Sequence, residues 1–268
     1  MASGPGELFD TRLRALRRDR AARSGPVLFL YERTFSDILE RLSTIRRSFG
    51  SVLLIGAADP ELPKQLAALG GDVTVVDPGE RFAVAAGGSR VVEEAIDLEP
   101  GSFDLCVAIG TLDTVNDLPG TLLRLRFLLR PDSLLIGALA GGDTLPRLRQ
   151  AMRAADAAMG AATPHVHPRI EPAALAQLLA SAGFAMPVVD VDRVQVAYRS
   201  FRQLVADLRG MGATNLLHSR AKATLTRKAL VAAEEEFAAT QEAPAVETFE
   251  LLHFAAWTPV ADASARDG

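Results

Sequence analysis

The run Val52-Leu53-Leu54-Ile55 passes into Gly56-Ala57-Ala58 and then into Asp59-Pro60. A short apolar stretch, a small-residue turn and an acid-proline pair predict a buried strand, a tight turn and a helix N-terminus. That succession opens nucleotide-binding α/β domains, because the turn backbone can face a ligand there. Gly56 and Ala58 are the ligand-facing candidates. The turn carries one glycine where a cofactor loop usually has two or three. Asp59 is placed to cap the following helix, which fills its positive end with a carboxylate. Pro60 removes one backbone donor, and Ala57 and Ala58 restrict the chain relative to glycine. The pattern argues against a pyrophosphate and penalises a cationic or zwitterionic cofactor less.

The surrounding chain alternates in the same way. Phe35, Ile38, Leu39, Leu42, Ile45 and Phe49 recur at helical spacing ahead of the first strand. Glu61 to Leu69 reads as a helix closed by Gly70-Gly71, and Val73 to Val76 as a second strand ending on Asp77-Pro78-Gly79. A weaker strand is expected over Arg90 to Ile96 and a clear one over Phe103 to Ile109. A helix from about Leu118 to Leu129, a turn at Arg130-Pro131-Asp132 and a strand from Ser133 to Ala140 follow. Such alternation calls for a doubly wound parallel sheet, with the ligand crevice at the carboxyl ends of its strands. The loops at 56–60, 77–80, 110–117 and 140–144 meet at that edge.

Beyond Thr144 the pattern becomes more helical. Helices are expected over Leu145 to Met159, Pro172 to Ala182, Phe201 to Leu208 and Ala221 to Ala239. A strand pair or one long strand is expected over Met186 to Tyr198, and a final strand over Glu247 to Thr258. The expected organisation is an N-terminal helical segment at 1–50 and an α/β domain at 51–260. A helical insertion at about 200–240 and a flexible tail at 261–268 complete it.

Composition narrows the function. A formal net charge of -4 argues against a protein that lives on nucleic acid. The single cysteine, Cys106, excludes an internal disulfide. No apolar run reaches the length that spans a bilayer. Arg12 to Arg23 is basic enough to suggest a transit peptide, but Glu7, Asp10 and Asp19 interrupt it. A solvated basic helix is the preferred reading, with a face that could meet an acidic partner.

Asp77 stands at the end of the second strand, about 20 residues after Gly56, where an acid can accept from both hydroxyls of a ribose. Asp-Pro-Gly is also ordinary turn chemistry. His165 and His167 lie two apart in a Pro-rich loop, but a pair without a third ligand makes a poor metal site. No metal is expected. Asp190 and Asp192 read as a solvated strand face, and Phe254 and Trp257 as core. No nucleophile-His-acid set or P-loop stands out.

Several segments carry a resemblance. They include Phe103-Asp104-Leu105-Cys106-Val107, Leu112 to Pro119, and Leu129 to Gly137. Together they resemble the second half of a class I S-adenosylmethionine-dependent methyltransferase. Gly141-Gly142-Asp143-Thr144-Leu145, Pro164-His165, Ala182-Gly183-Phe184 and Asp207 to Asn215 are similar to one branch of that family. Leu8-Phe9-Asp10, Arg20-Ala21-Ala22-Arg23 and Val189-Asp190-Val191-Asp192 fit the same branch. It is the branch of the mitochondrial complex I assembly factor 5.

The resemblance implies a seven-stranded Rossmann-like sheet with a helical insertion before its last, antiparallel strand. It implies S-adenosylmethionine as cofactor, with Gly56, Ala58, Asp77 and Ile109 at its site. It implies methyl transfer, with a respiratory complex I subunit or another protein as acceptor. A protein-arginine hydroxylase role is attributed to the mitochondrial relative, and a catalytically degenerate assembly factor is the alternative. Three departures accompany it. The family's acidic-Leu-Gly-Cys-Gly-x-Gly motif is replaced by Leu54 to Pro60, and its His-Trp by Asp113-Thr114. Glu93, Glu94 and Asp97 compete for the acid near the adenine. The Ala/Arg-rich usage suggests a high-GC bacterium, and a cytoplasmic location is expected.

Overall fold

A computed structural model of the chain describes residues 6–239 and 244–260. The strands are β1 (Ser51–Ile55), β2 (Asp72–Asp77), β3 (Ser89–Arg90), β4 (Phe103–Ile109), β5 (Leu129–Ala140), β6 (Ala185–Tyr198) and β7 (Ala245–Trp257). They form one seven-stranded sheet in the order β3-β2-β1-β4-β5-β7-β6. β1 pairs in parallel with β2 and β4, so Leu54 lies beside Val75 on one side and Val107 on the other. Both neighbours are strands, and four of the five residues of β1 are buried. A strand covered on both faces reads as a continuous apolar run, as Val52 to Ile55 does.

The helices are α1 (Thr11–Ser24), α2 (Phe29–Thr44), α3 (Glu61–Ala67), α4 (Glu80–Ala85) and α5 (Leu118–Leu128). They continue with α6 (Pro146–Met159), α7 (Pro172–Ser181), α8 (Phe201–Gly210) and α9 (Arg227–Ala238). The amphipathic face expected before β1 is the inner face of α2. Phe35, Ile38 and Leu42 join Val52, Leu54, Leu105, Val107 and Ile136 in one core cluster.

Two compact units divide the chain. One draws on the described parts of residues up to Val27, of Ala140–Ile170 and of Val191–Leu251. The other draws on Leu28–Leu139, Glu171–Asp190 and the described residues from Leu252 onward. In the first, α6 packs along α9 and α1 along α8.

Four local expectations are corrected. Helix α1 is not solvated all round: Arg14 and Arg18 are only 2% and 3% exposed. Spaced four apart, they share the inward face of the helix with Ala15 and Ala21. Arg130-Pro131-Asp132 lies within β5 rather than in a separate turn. Pairing steps from Phe103↔Leu129 to Leu105↔Leu134, so three extra residues bulge on β5, with Asp132 at φ 55°. Of the strand expected at 90–96, only Arg90 pairs, together with Ser89 before it, and Glu93–Ala95 forms a 3-10 turn. Helix α9 starts at Arg227, where the Thr226 side chain caps the Ala229 N–H at 3.2 Å. The tail expected at 261–268 lies outside the described residues, as does position 240 of the expected insertion. Among the described residues no helix is long and apolar enough to cross a membrane.

Candidate functional site

The carboxyl edge of β1, β2 and β4 brings the four candidate positions together. Gly56 follows β1 at φ 85°, and its N–H donates to the Val76 carbonyl at 3.0 Å. A Cβ there would sit 2.2 Å from the Ile109 carbonyl oxygen at the end of β4. Glycine is therefore required twice over, by its backbone angle and by the close approach of the neighbouring strand. Ala57 and Ala58 are buried. The next turn is as tight: a Cβ on Gly110, at φ 61°, would meet the Tyr31 ring at 2.8 Å. Tyr31 comes from α2 and is a member of the site that sequence reasoning missed. Helical periodicity marks a face, and nothing in it says which turn that face will press upon.

Asp77 has zero exposure. One carboxylate oxygen accepts from the Ala57 N–H at 2.9 Å and the other from the Gly79 N–H at 2.7 Å. The first bond ties the β2 turn to the β1 turn; the second is an aspartate turn within Asp77-Pro78-Gly79. Asp59 behaves as its sequence predicts, accepting from the Glu61 N–H at 2.9 Å at the start of α3.

The three acids that compete after β3 differ in environment. Glu93 is enclosed and Asp97 is exposed. Glu94 accepts from the Asn116 N–H through one oxygen, which joins it to the loop after β4. Its other oxygen, Oε2, is enclosed and has no hydrogen-bond partner among the described residues. Asp113 and Thr114 fall in a 3-10 turn, Leu112–Thr114, where the Thr114 hydroxyl bonds the Thr111 carbonyl at 3.1 Å.

The two glycine-bearing motifs that mark the family branch serve as joints. In Gly141 to Leu145, the Thr144 hydroxyl donates to the Glu250 carbonyl at 3.0 Å and accepts from the Glu250 N–H at 3.1 Å. The Glu250 side chain is buried and meets Arg193 at 3.0 Å. In Gly210 to Asn215, a Cβ on Gly210 would strike Val27 at 2.5 Å. The Asn215 amide donates to the Pro164 carbonyl at 2.7 Å, and its oxygen accepts from the Leu217 N–H at 3.0 Å.

His165 and His167 have different partners. His165 Nε2 lies 2.9 Å from an Asp156 oxygen, whereas His167 Nε2 accepts from the Leu216 N–H at 2.8 Å. Among the described residues no group of three or more His, Cys, Asp or Glu could hold a metal ion. Asp190 pairs with Arg41 at 2.7 Å, Phe254 is buried and Trp257 is half-buried. The Cys106 thiol is pushed far above its ordinary pKa by burial.

A family model described as "Methyltransferase domain" matches residues 29–187. A Danio rerio protein named "Arginine-hydroxylase NDUFAF5, mitochondrial" is 35% identical over 171 residues, 62% of this chain and 53% of that protein. The Mus musculus protein of the same name is 32% identical over 265 residues, 93% of this chain and 77% of that protein. The chain thus spans about half the length of the first relative and about three quarters of the second. In fold it is similar to the N-methyltransferase NodS of Bradyrhizobium japonicum, solved with S-adenosyl-L-homocysteine. The TM-score is 0.51 and the identity 17%, over 93% of this chain and 100% of that one. The cytoplasmic, bacterial location expected from the sequence is corrected by these relatives, whose names place them in mitochondria. Composition reports codon usage and solubility, and a cellular address is not written in either.

Proposed function

The chain belongs to the methyltransferase-domain family, and from that premise we propose that it binds S-adenosylmethionine at the carboxyl edge of β1, β2 and β4. The observation that carries the reading is Glu94 Oε2, an enclosed acceptor between β3 and β4 with no partner among the described residues. A buried acceptor left unmet costs about 1–3 kcal/mol, and the exocyclic amine of an adenine would supply the missing donor. Gly56 and Ile109 approach closely at the ends of β1 and β4, and Asp77 holds the β1 and β2 turns in register. With both its oxygens engaged by N–H groups, Asp77 shapes the site rather than presenting an open carboxylate.

The cofactor would supply an electrophilic methyl group on a sulfonium. The chain's part in such chemistry is to orient the donor and to keep water from it. The proposed acceptor is a protein, in line with the branch the sequence resembles, and a subunit of respiratory complex I is the first candidate.

A second reading draws on the first turn. The Asp59 carboxylate occupies the start of α3, and Pro60 provides no N–H there. An eroded turn of this kind favours a catalytically silent assembly factor that keeps the fold for a protein partner. The relatives' name adds arginine hydroxylation as a third activity to assay, read as oxygen-dependent mass gain on the partner.

Calorimetric titration with S-adenosylmethionine and S-adenosylhomocysteine tests the binding. Saturable binding that weakens at least tenfold in Glu94→Gln is expected. No heat at millimolar ligand overturns the cofactor reading and leaves the silent assembly factor. Binding without methyl transfer to any complex I subunit would retain the site and remove the proposed acceptor.

A further inference from the structure

The loop that carries the two histidines borders a cavity of about 550 Å³ lined by Leu8, Arg149, Val166, His167, Arg169 and Leu217, among others. Among the described residues no carboxylate lines it, and its polar groups include two guanidinium groups and the Ser219 hydroxyl. A second cavity of about 220 Å³ shares Arg149, Pro164 and Val166 and adds Arg153. Its one carboxylate among the described residues, Asp156, is already held by the Thr163 N–H at 2.8 Å and by His165 at 2.9 Å. Arg149 therefore stands on the wall common to both, between two further arginines.

Arg149 is aimed by the chain. One of its N–H groups donates to the Thr144 carbonyl at 3.2 Å, and Thr144 is itself clasped to β7 by two bonds. The remaining donors of the planar guanidinium keep the fork geometry that suits a carboxylate or phosphate. His167 accepts at Nε2 and packs edge-on against Phe9 at 5.2 Å, so it is a fixed wall. The two guanidinium groups give the cavity a positive wall in a chain that is negative overall. Leu8, Val166, Leu217 and two prolines make the other walls apolar.

We infer that this cavity is a site for the anionic end, carboxylate or phosphate, of a ligand that carries an apolar stem. The inference rests on these residues alone and stands apart from the cofactor reading.

Octanoate and octyl phosphate are titrated calorimetrically into the full chain, with octanol and inorganic phosphate as the other two arms. At least one octyl anion is expected to bind ten times more tightly than both octanol and inorganic phosphate. The arm that binds best tells a carboxylate site from a phosphate site. Arg149→Gln with Arg169→Gln is expected to weaken that binding at least tenfold. If the double variant does not fold, amide NMR of the unaltered chain decides, with shifts expected at Val166, His167 and Ser219. Absence of binding at millimolar ligand, equal binding of octanol or of inorganic phosphate, unchanged binding in a folded double variant, or shifts confined elsewhere overturns the inference.

Discussion

The carboxylate of Asp77 accepts the backbone N–H of Ala57 at 2.9 Å, joining two turns that lie 20 residues apart in the chain. A residue whose spacing suggested a ribose acceptor is thus spent on the scaffold that a ribose would face. Its second oxygen takes the Gly79 N–H, so the group is enclosed with both oxygens in use.

Asp77→Ala strands both of those buried donors. The expected loss is about 2 kcal/mol or more, at about 1–3 kcal/mol for each unmet group. For a chain of this size that is a fall in Tm of roughly 5 °C. Asp77→Asn keeps the shape and one good acceptor and is expected to lose less than half as much. Thermal unfolding of the two variants, each with and without S-adenosylmethionine, separates the scaffold role from a ligand role. Equal Tm values for wild type and Asp77→Ala would sink the scaffold role.

Gly56→Ala and Gly70→Ala both place a side chain at positive φ, but only the first meets a neighbour, the Ile109 carbonyl at 2.2 Å. Strain alone costs roughly 1–2 kcal/mol. The clash adds about 1–3 kcal/mol, because the strand beside it has to move. Urea unfolding should therefore show Gly56→Ala as the more damaging substitution. Similar losses in the two variants would mean that the strands give way easily.

Two buried carboxylates in the first compact unit are expected to respond to pH in opposite senses. Burial raises the Asp156 pKa, but the Thr163 N–H and His165 outweigh it, and the net shift is below 3.8. A group depressed on folding stabilises above its unfolded pKa, and that stability is lost as pH falls through the folded value. Glu247 is the reverse. Burial outweighs the N–H groups of Leu148, Thr248 and Arg147, and its pKa rises above 4.5. Its contribution is fullest below the unfolded pKa and is lost as pH rises through the raised value. Glu247→Gln should therefore gain stability relative to wild type between pH 4 and pH 8, as the wild-type carboxyl ionises. Asp156→Asn should lose its deficit as pH falls toward 3. Denaturant titrations across that range read both slopes.

Cys106 is enclosed in β4, and burial holds its thiol protonated. A thiol reagent should label it only after unfolding, since the thiolate is the reactive form. Rapid labelling of the native chain at neutral pH would show that β4 opens locally.

Much of the sheet was legible because its signals are local. Val52 to Ile55, the single glycine at 56 and the acid-proline pair at 59–60 sit within nine residues, and they became β1, its turn and the start of α3. The same holds for Asp77, found at the end of β2 as its spacing requires. The inward Arg14 and Arg18 were read as solvated because charge usually stays in water. Tyr31 gave no sign of the Gly110 turn it presses on. The Gly-Gly-Asp-Thr-Leu run identified a branch, yet nothing in its spelling says that Thr144 clasps Glu250 at a distance of 106 residues.

Residue order by itself determined the strand-turn-helix opening, the placement of Asp77 and the family. Periodicity, capping and turn chemistry act between near neighbours, and motifs are strings. Only the tertiary structure decided that Asp77 faces inward and that, among the described residues, Glu94 keeps an unmet oxygen and Arg149 lines a cavity without carboxylates. Each of those depends on which donor or acceptor arrives from another strand or loop, and the pairing is set by distance in the folded chain.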